Sequence, residues 1–324
     1  GKIRSPDRKG KREMGEIKWM QGNRYGVMVH YLSDIQPQKG PGFGNWDEIT
    51  EAFNIIDFAN EIEKMGAGWV IFPFGQNSGR YCSYNSHLEA AVPGCCSRRD
   101  IMWELAQELK RRGIRLIAYL PSEMDANIQE LREQFGWDLD LEDKSVFQER
   151  YQKVIREWAE RFGTLIDGWW FDGCYDSLTK DFLRTQGWTN DRFDYCEWKA
   201  ASCAGNKDAV IAMNPGAEKM EYAFTEQDYL GGEANTLNHR PEKPLPGGMQ
   251  WHCLVWLDCF WAHWEKAGEI APPRFTDEEL WDFYKECRNR NGAVTWNIGI
   301  YQDGTLAEKT VEQVVRLKER LESI

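Results

Sequence analysis

Two acidic residues stand where a carboxylate is costly unless something receives it. Asp172 ends the apolar run Gly168-Trp169-Trp170-Phe171-Asp172-Gly173, and Glu233 ends Asp228-Tyr229-Leu230-Gly231-Gly232-Glu233. A carboxylate directly after a buried strand needs polar partners or a cleft. The plain reading of Asp172 is an Asx turn or helix N-cap, with Gly173 permitting a tight departure of the backbone. The plain reading of Glu233, and equally of Glu123 and Glu226, is a solvated loop glutamate. The chemical reading pairs two such groups across one cleft. Facing carboxyl groups hydrolyse a glycosidic bond, with retention or inversion according to their separation.

Other chemistries lack their residues. No G-x-S-x-G elbow announces a Ser-His-Asp triad. The five histidines (30, 87, 239, 252 and 263) show no H-E-x-x-H spacing, so no catalytic metal is expected. The nine cysteines include no C-x-x-C pair, which argues against structural zinc and for buried free thiols. No cofactor is called for. The net charge of −12 disfavours nucleic acid and anionic lipid, whereas a neutral substrate is indifferent to it. No apolar run is long enough to span a bilayer. The opening Gly1-Lys2-Ile3-Arg4-Ser5 reads as the start of a trimmed chain. The compartment is therefore periplasmic or secreted if a signal peptide was removed, and cytoplasmic otherwise.

The elements that must position these acids alternate between two kinds. Strand-like runs fall at Arg24–Leu32, Gly68–Phe74, Arg115–Leu120, Leu165–Phe171, Ala209–Met213, Asp228–Gly232, Trp251–Trp256 and Gly292–Ile298. Helix-like runs fall at Ile56–Met65, Arg98–Arg112, Val146–Phe162, Phe193–Ala204, Glu278–Arg288 and Leu306–Leu321, the first three stopped by Gly66, Gly113 and Gly163. Strand, helix, strand, eight times over about 300 residues, predicts an α/β fold: one (β/α)₈ TIM-type barrel domain over residues 1–324. An open doubly wound sheet is the alternative, but the first strand is followed by His30-Tyr31-Leu32-Ser33-Asp34 and not by a glycine-rich phosphate loop. No helix can be placed between the sixth and seventh strands, where Asn235–Gly248 is rich in Pro and Gly.

Functional residues of such a barrel lie at the carboxyl ends of its strands. The expected ring is His30, Gln76 and Asn77, Ser122 and Glu123, Asp172, Asn214, Glu233, Trp256 and Asp258, and Asn297. It is polar and suits a hydroxyl-rich neutral ligand. The 16 tryptophans add a second hint, since flat aromatic faces stack on sugar rings. Trp46, Trp170, Trp251 and Trp296 are the platform candidates, with core packing the competing explanation.

Over nearly its whole length the chain resembles the α-L-fucosidases of glycoside hydrolase family 29. Trp19 and Arg24-Tyr25-Gly26-Val27-Met28-Val29-His30-Tyr31 are similar to that family's W…K-F-G-I-F-x-H-W-G start. Ser97-Arg98-Arg99-Asp100-Ile101 resembles its K-R-D-L-V helix start, and Gly113-Ile114-Arg115-Leu116 with Ala118-Tyr119 its G-L-K-F-G-L-Y-Y-S strand. Gly168–Gly173 resembles the L-L-W-F-D-G strand that ends in the nucleophile. Asn291–Gly299 with Asp303-Gly304-Thr305 resembles the late N-G-N-L-L-L-N-I-G-P…D-G-T stretch. Asp228–Glu233 is similar to D-Y-x-T-P-E, with Gly231-Gly232 in place of Thr-Pro.

The resemblance implies a retaining exo-hydrolase with Asp172 as nucleophile, Glu233 as acid/base and His30 on the sugar, acting on an oligosaccharide or glycoside. Two departures bear on the substrate. The family's K-H-H-D-G-F stretch is Gly75-Gln76-Asn77-Ser78-Gly79-Arg80 here, and a later W-E is Trp251-His252. The family's C-terminal β-sandwich is expected to be missing. A different sugar such as L-galactose, a catalytically silent sugar-binding barrel and an inverting hydrolase are the alternatives.

Overall fold

The computed structural model describes residues 17–138, 140, 141, 143–174 and 194–324. Eight parallel strands form one curled sheet: β1 Gly26–Met28, β2 Trp69–Pro73, β3 Arg115–Pro121, β4 Gly168–Asp172, β5 Val210–Met213, β6 Glu233–Ala234, β7 His252–Trp256 and β8 Ala293–Asn297. Their order is β5-β4-β3-β2-β1-β8-β7-β6, so the first and last strands are neighbours. This is an α/β sheet of the TIM-barrel type.

Main-chain bonds reach across the two ends of that order. Asp228 N donates to Ile211 O at 2.9 Å, Ile211 N donates to the Asp228 carboxylate at 2.8 Å, and Gln250 N donates to Asp228 O at 2.9 Å. The strand expected at Asp228–Gly232 is thereby corrected. Residues 228–230 make isolated bonds, and the ladder with β7 runs through Glu233↔Leu254 and Ala234↔Val255. Gly232 is the reason. It sits at φ +70°, and a Cβ there would fall 2.0 Å from the His252 carbonyl oxygen. The chain kinks at this point and resumes one residue later, so Glu233 lies in the strand and not after it.

The helices that cover the sheet begin where the sequence supplies caps. α1 (Trp46–Glu51), α2 (Ile55–Lys64), α3 (Ser86–Ala91) and α4 (Ile101–Arg111) follow Asn45, Asn54, Asn85 and Asp100, each of which accepts a main-chain N–H of the first turn. α5 (Gln129–Phe135), α6 (Ser145–Phe162), α7 (Tyr195–Ser202), α8 (Asp277–Asn289, behind a Thr276/Glu279 capping box) and α9 (Glu308–Glu322) complete the described set. α1, α3 and α5 have no counterpart among the expected helices. Phe193, where the fourth of those was expected to begin, lies outside the described residues, as does the opening 1–5 segment. Between β6 and β7 only a 3₁₀ turn, Pro246–Gly248, is present, because three prolines interrupt the connection.

Strand side chains alternate between two environments. Met28, Trp69, Ile71, Ile117, Tyr119, Trp170, Val210, Ala212 and Leu254 pack on one another as an inner core. Val27, Val70, Phe72, Ala118, Trp169, Phe171, Ile211, Val255 and Trp296 belong to the larger core against the helices. Close packing requires Gly26: a Cβ there would lie 1.9 Å from the Trp69 indole nitrogen. That nitrogen donates to Thr295 Oγ1 at 2.9 Å, and His252 Nε2 meets the same hydroxyl at 2.7 Å.

Candidate active site

The inner-facing series runs straight into the site. Trp170 precedes Asp172 by two residues, Ala212 precedes Asn214, Met28 precedes His30 and Thr295 precedes Asn297, so all four polar residues continue the inner face at the carboxyl rim. Tyr119 reaches the same place from within β3.

Three donors converge on Asp172. The Tyr119 hydroxyl donates to Oδ2 at 2.5 Å, while the Gly173 N–H and the Asn214 amide donate to Oδ1, each at 2.9 Å. The same Asn214 nitrogen donates to Glu233 Oε1 at 3.1 Å. One amide therefore holds both acids, and the two bonded oxygens lie at most about 6 Å apart. Glu233 is half-buried. Burial, followed by the negative charge of Asp172, pushes its carboxyl up to about 8; the Asn214 bond opposes the shift and the charge of Glu218 adds to it. The protonated form of Glu233 is thereby favoured at neutral pH.

His30 is buried and held neutral, its imidazole pushed down to about 4 by burial against the attraction of Asp172. Its Nδ1 meets Asn297 Oδ1 at 2.9 Å, and the Asn297 amide donates to the Trp261 carbonyl at 3.0 Å. Gln76 joins through Tyr119: its Nε2 donates to the phenol oxygen at 2.9 Å. Asn77 is half-buried in the same loop, and its carbonyl accepts from Asn127 N at 2.6 Å.

The four tryptophans part company. Trp170 stacks on Tyr119, centroids 5.6 Å apart, directly below the acids, and its Nε1 donates to Gly231 O at 2.9 Å. Trp296 is fully buried between Tyr25 and Phe283 on the helix side. Trp251 precedes β7 at the opposite, amino-terminal end and packs in the outer core. Trp46 belongs to α1, rests on Tyr31 and donates to Tyr81 O at 2.7 Å.

The competing acids also separate. Glu226 is exposed. Glu123 is buried behind the site and raised to about 8, chiefly by burial. Asp258 accepts from Gly299 N, Cys259 N and Thr310 Oγ1 and ties the β8 exit to α9.

Sequence reasoning passed over Tyr119, Glu218, Trp261 and Trp264. Tyr119 carried a signal, being on the inner face two residues before the β3 end. Glu218 carried none. It takes φ +65°, its N–H donates to Glu233 O at 2.8 Å, and its carboxylate accepts from Asn235 N at 2.6 Å and pairs with His239. Trp261 and Trp264 come from the loop after β7 and set their rings 6.1 and 6.5 Å from that of His30.

No metal is needed to explain these contacts. Elsewhere, Glu89, Cys95 and Cys96 bring potential ligand atoms within 4.8 Å of one another. Both Glu89 oxygens already accept main-chain N–H groups, from Gly94 at 2.8 Å and Cys96 at 2.9 Å, which gives that cluster a structural role.

Comparison with known proteins identifies the family. The sequence model of the family described as α-L-fucosidase matches residues 11–320. The chain belongs to the α-L-fucosidase family. A search of curated proteins finds no match. Among solved structures, the chain resembles the endo-fucoidan hydrolase MfFcnA4 of glycoside hydrolase family 107 (TM-score 0.69, 16% identity) over 96% of its own length and 54% of the other. It therefore spans about half of that longer protein. The endo-fucoidan hydrolase P5AFcnA, of the same family, aligns over 94% and 93% of the two chains (TM-score 0.68, 15% identity). The α-L-fucosidase AlfC from Lactobacillus casei, in complex with α-L-fucose product, aligns over 95% and 99% (TM-score 0.63, 14% identity). At these identities the likeness is one of fold.

Proposed function

We propose that the chain is a retaining exo-glycosidase that releases a terminal α-L-fucose, or a sugar of like ring geometry such as L-galactose, by double displacement. The observation that carries this reading is the shared Asn214 amide. Its two bonds hold the nearest carboxylate oxygens within about 6 Å of each other, which favours the close spacing of a retaining pair over the wider spacing that admits a water. The fold assumed is a single closed (β/α)₈ barrel, and the Asp228–Ile211 bonds across the sheet ends support it.

Asp172 then attacks the anomeric carbon as the bond to the leaving oxygen breaks, and Glu233 gives its proton to that oxygen. In the second step Glu233, now a carboxylate, takes a proton from water. The water oxygen attacks the same carbon and Asp172 departs. Tyr119 and Asn214 orient the nucleophile. His30, Gln76 and Asn77 are proposed to meet sugar hydroxyls, and neutral His30 suits that task. Trp170 closes the floor. Trp46, Trp251 and Trp296 support the site through packing in the outer core.

Gln76 and Asn77, in place of the family's paired histidines, favour a second reading, a sugar-binding barrel without turnover. The mechanism-based 2-deoxy-2-fluoro-L-fucosyl fluoride separates the two. Retaining catalysis traps a glycosyl ester on Asp172, seen by peptide mass spectrometry. An unlabelled protein that still binds L-fucose favours the binder, and a product of inverted anomeric configuration by NMR excludes double displacement.

A further inference from the structure

Among the described residues Phe260 is the most exposed aromatic side chain, at 61%. It lies in the loop between β7 and α8. The next residue, Trp261, takes φ +70°, a left-handed conformation that a bulky side chain holds only under constraint. The constraint is the Asn297 amide on the Trp261 carbonyl, which binds the loop to the rim of the catalytic pocket. The Trp261 ring, beside His30, leads outward to Phe260, with centroids 6.4 Å apart.

This aromatic strip stands on the acid's side of the pocket. Asn235, two residues after Glu233, accepts from Trp256 Nε1 at 2.9 Å. The Phe260 ring meets Trp256 edge-on, 5.7 Å away at 90°. The Arg274 guanidinium lies 3.3 Å from the Trp256 ring centre and donates to the carbonyls of Asn235 at 2.6 Å and Trp256 at 2.9 Å. The Trp256 ring is thereby fixed, and an exposed phenyl ring stands next to amide and guanidinium groups.

A leaving group must sit against the acid that protonates it, so it emerges over this strip. We propose that Phe260, backed by Trp256 and Trp261, is the platform for the leaving-group sugar, a pyranose laid with its C–H face on the phenyl ring. The substrate is then a fucosylated saccharide. A lipid aglycone would call for a continuous exposed apolar groove, whereas Phe260 alone of these three rings is exposed. The inference rests on the proposed function and names the acceptor it takes.

The test compares two kinds of substrate on the full chain: α-L-fucosyl fluoride, which has no aglycone ring, and a panel of α-L-fucosyl disaccharides of differing linkage. Phe260→Ala is expected to lower kcat/KM for the best disaccharide about tenfold, mainly through KM, with fluoride turnover held within about twofold. Phe260→Trp is expected to retain disaccharide activity. Equal losses on both substrates, or none on either, overturn the platform. So does loss of self-association in Phe260→Ala by sedimentation velocity with unchanged kinetics, which would make the ring a contact between copies. Wild-type protein inert toward the fluoride and every disaccharide is a different failure: it removes the proposed function, and the platform with it.

Discussion

The ends of β4 and β6 present the same functional group in opposite surroundings. Among the described residues, a phenol, a main-chain amide and an asparagine donate to Asp172. Glu233 receives one side-chain donor, the shared asparagine, and its main neighbours are low-dielectric protein and the charges of Asp172 and Glu218. Donors stabilise a negative oxygen, and burial beside negative charge disfavours one. The contrast teaches that a single asparagine can join two carboxyl groups in unlike settings: donors gather on one, while burial beside negative charge raises the other.

The most severe way to break the contrast is to remove its charged member. Asp172→Ala is expected to lower kcat on any fucoside by roughly 10⁴-fold or more with the circular dichroism spectrum intact. An active, well-folded variant would show that the nucleophile lies elsewhere. Glu233→Gln keeps the shape and discards the proton. Fucosides with poor leaving groups should lose about 10²–10⁴-fold, α-L-fucosyl fluoride far less. The wild-type fall in kcat/KM near pH 8, where Glu233 surrenders its proton, should vanish in the variant.

Asn214→Ala severs the link itself. Hydrogen bonds to charged groups are worth roughly 1.5–3 kcal/mol, so a loss of about 10- to 100-fold in kcat/KM is expected. A change confined to KM would instead assign Asn214 to the sugar. Glu123→Gln probes stability. Glu123 is raised to about 8 in the fold, so the folded chain keeps a proton that the unfolded chain releases above its ordinary value near 4.5. That contribution fades as pH climbs from about 4.5 to 8, and the variant should melt about 2 °C higher than wild type at pH 8 yet no higher at pH 4. The smallest effect belongs to Glu218→Gln. Its charge adds to that of Asp172 in raising Glu233, with His239 and Arg274 opposing it nearby. The alkaline limb should shift to lower pH by a fraction of a unit. A shift to higher pH would contradict the electrostatic account.

The period of two along each strand accounts for much of what the sequence could and could not foretell. It links Trp170 to Asp172, Ala212 to Asn214 and Thr295 to Asn297, all on the inner face. It sets Trp296 in step with Val294, and Trp251 in step with Cys253 and Val255, on the outer face. Parity alone thus distinguishes the tryptophan under the acids from two of the others, a distinction that naming all four as candidates, with core packing as the competing explanation, left undrawn. The break at Gly232 was harder to foresee. The glycine pair is visible, but the His252 carbonyl that demands it belongs to β7, whose register against this segment no local pattern reveals. Glu218, Trp261 and Trp264 lie in loops with no periodic pattern, and their placement depends on bonds to distant partners.

The latch between His30 and Asn297 joins residues 267 positions apart, at the seam where the first strand meets the last. A ribosome building this chain delivers the imidazole 267 residues before its amide partner. The His30 side of the site is therefore complete only once the eighth strand has docked beside the first.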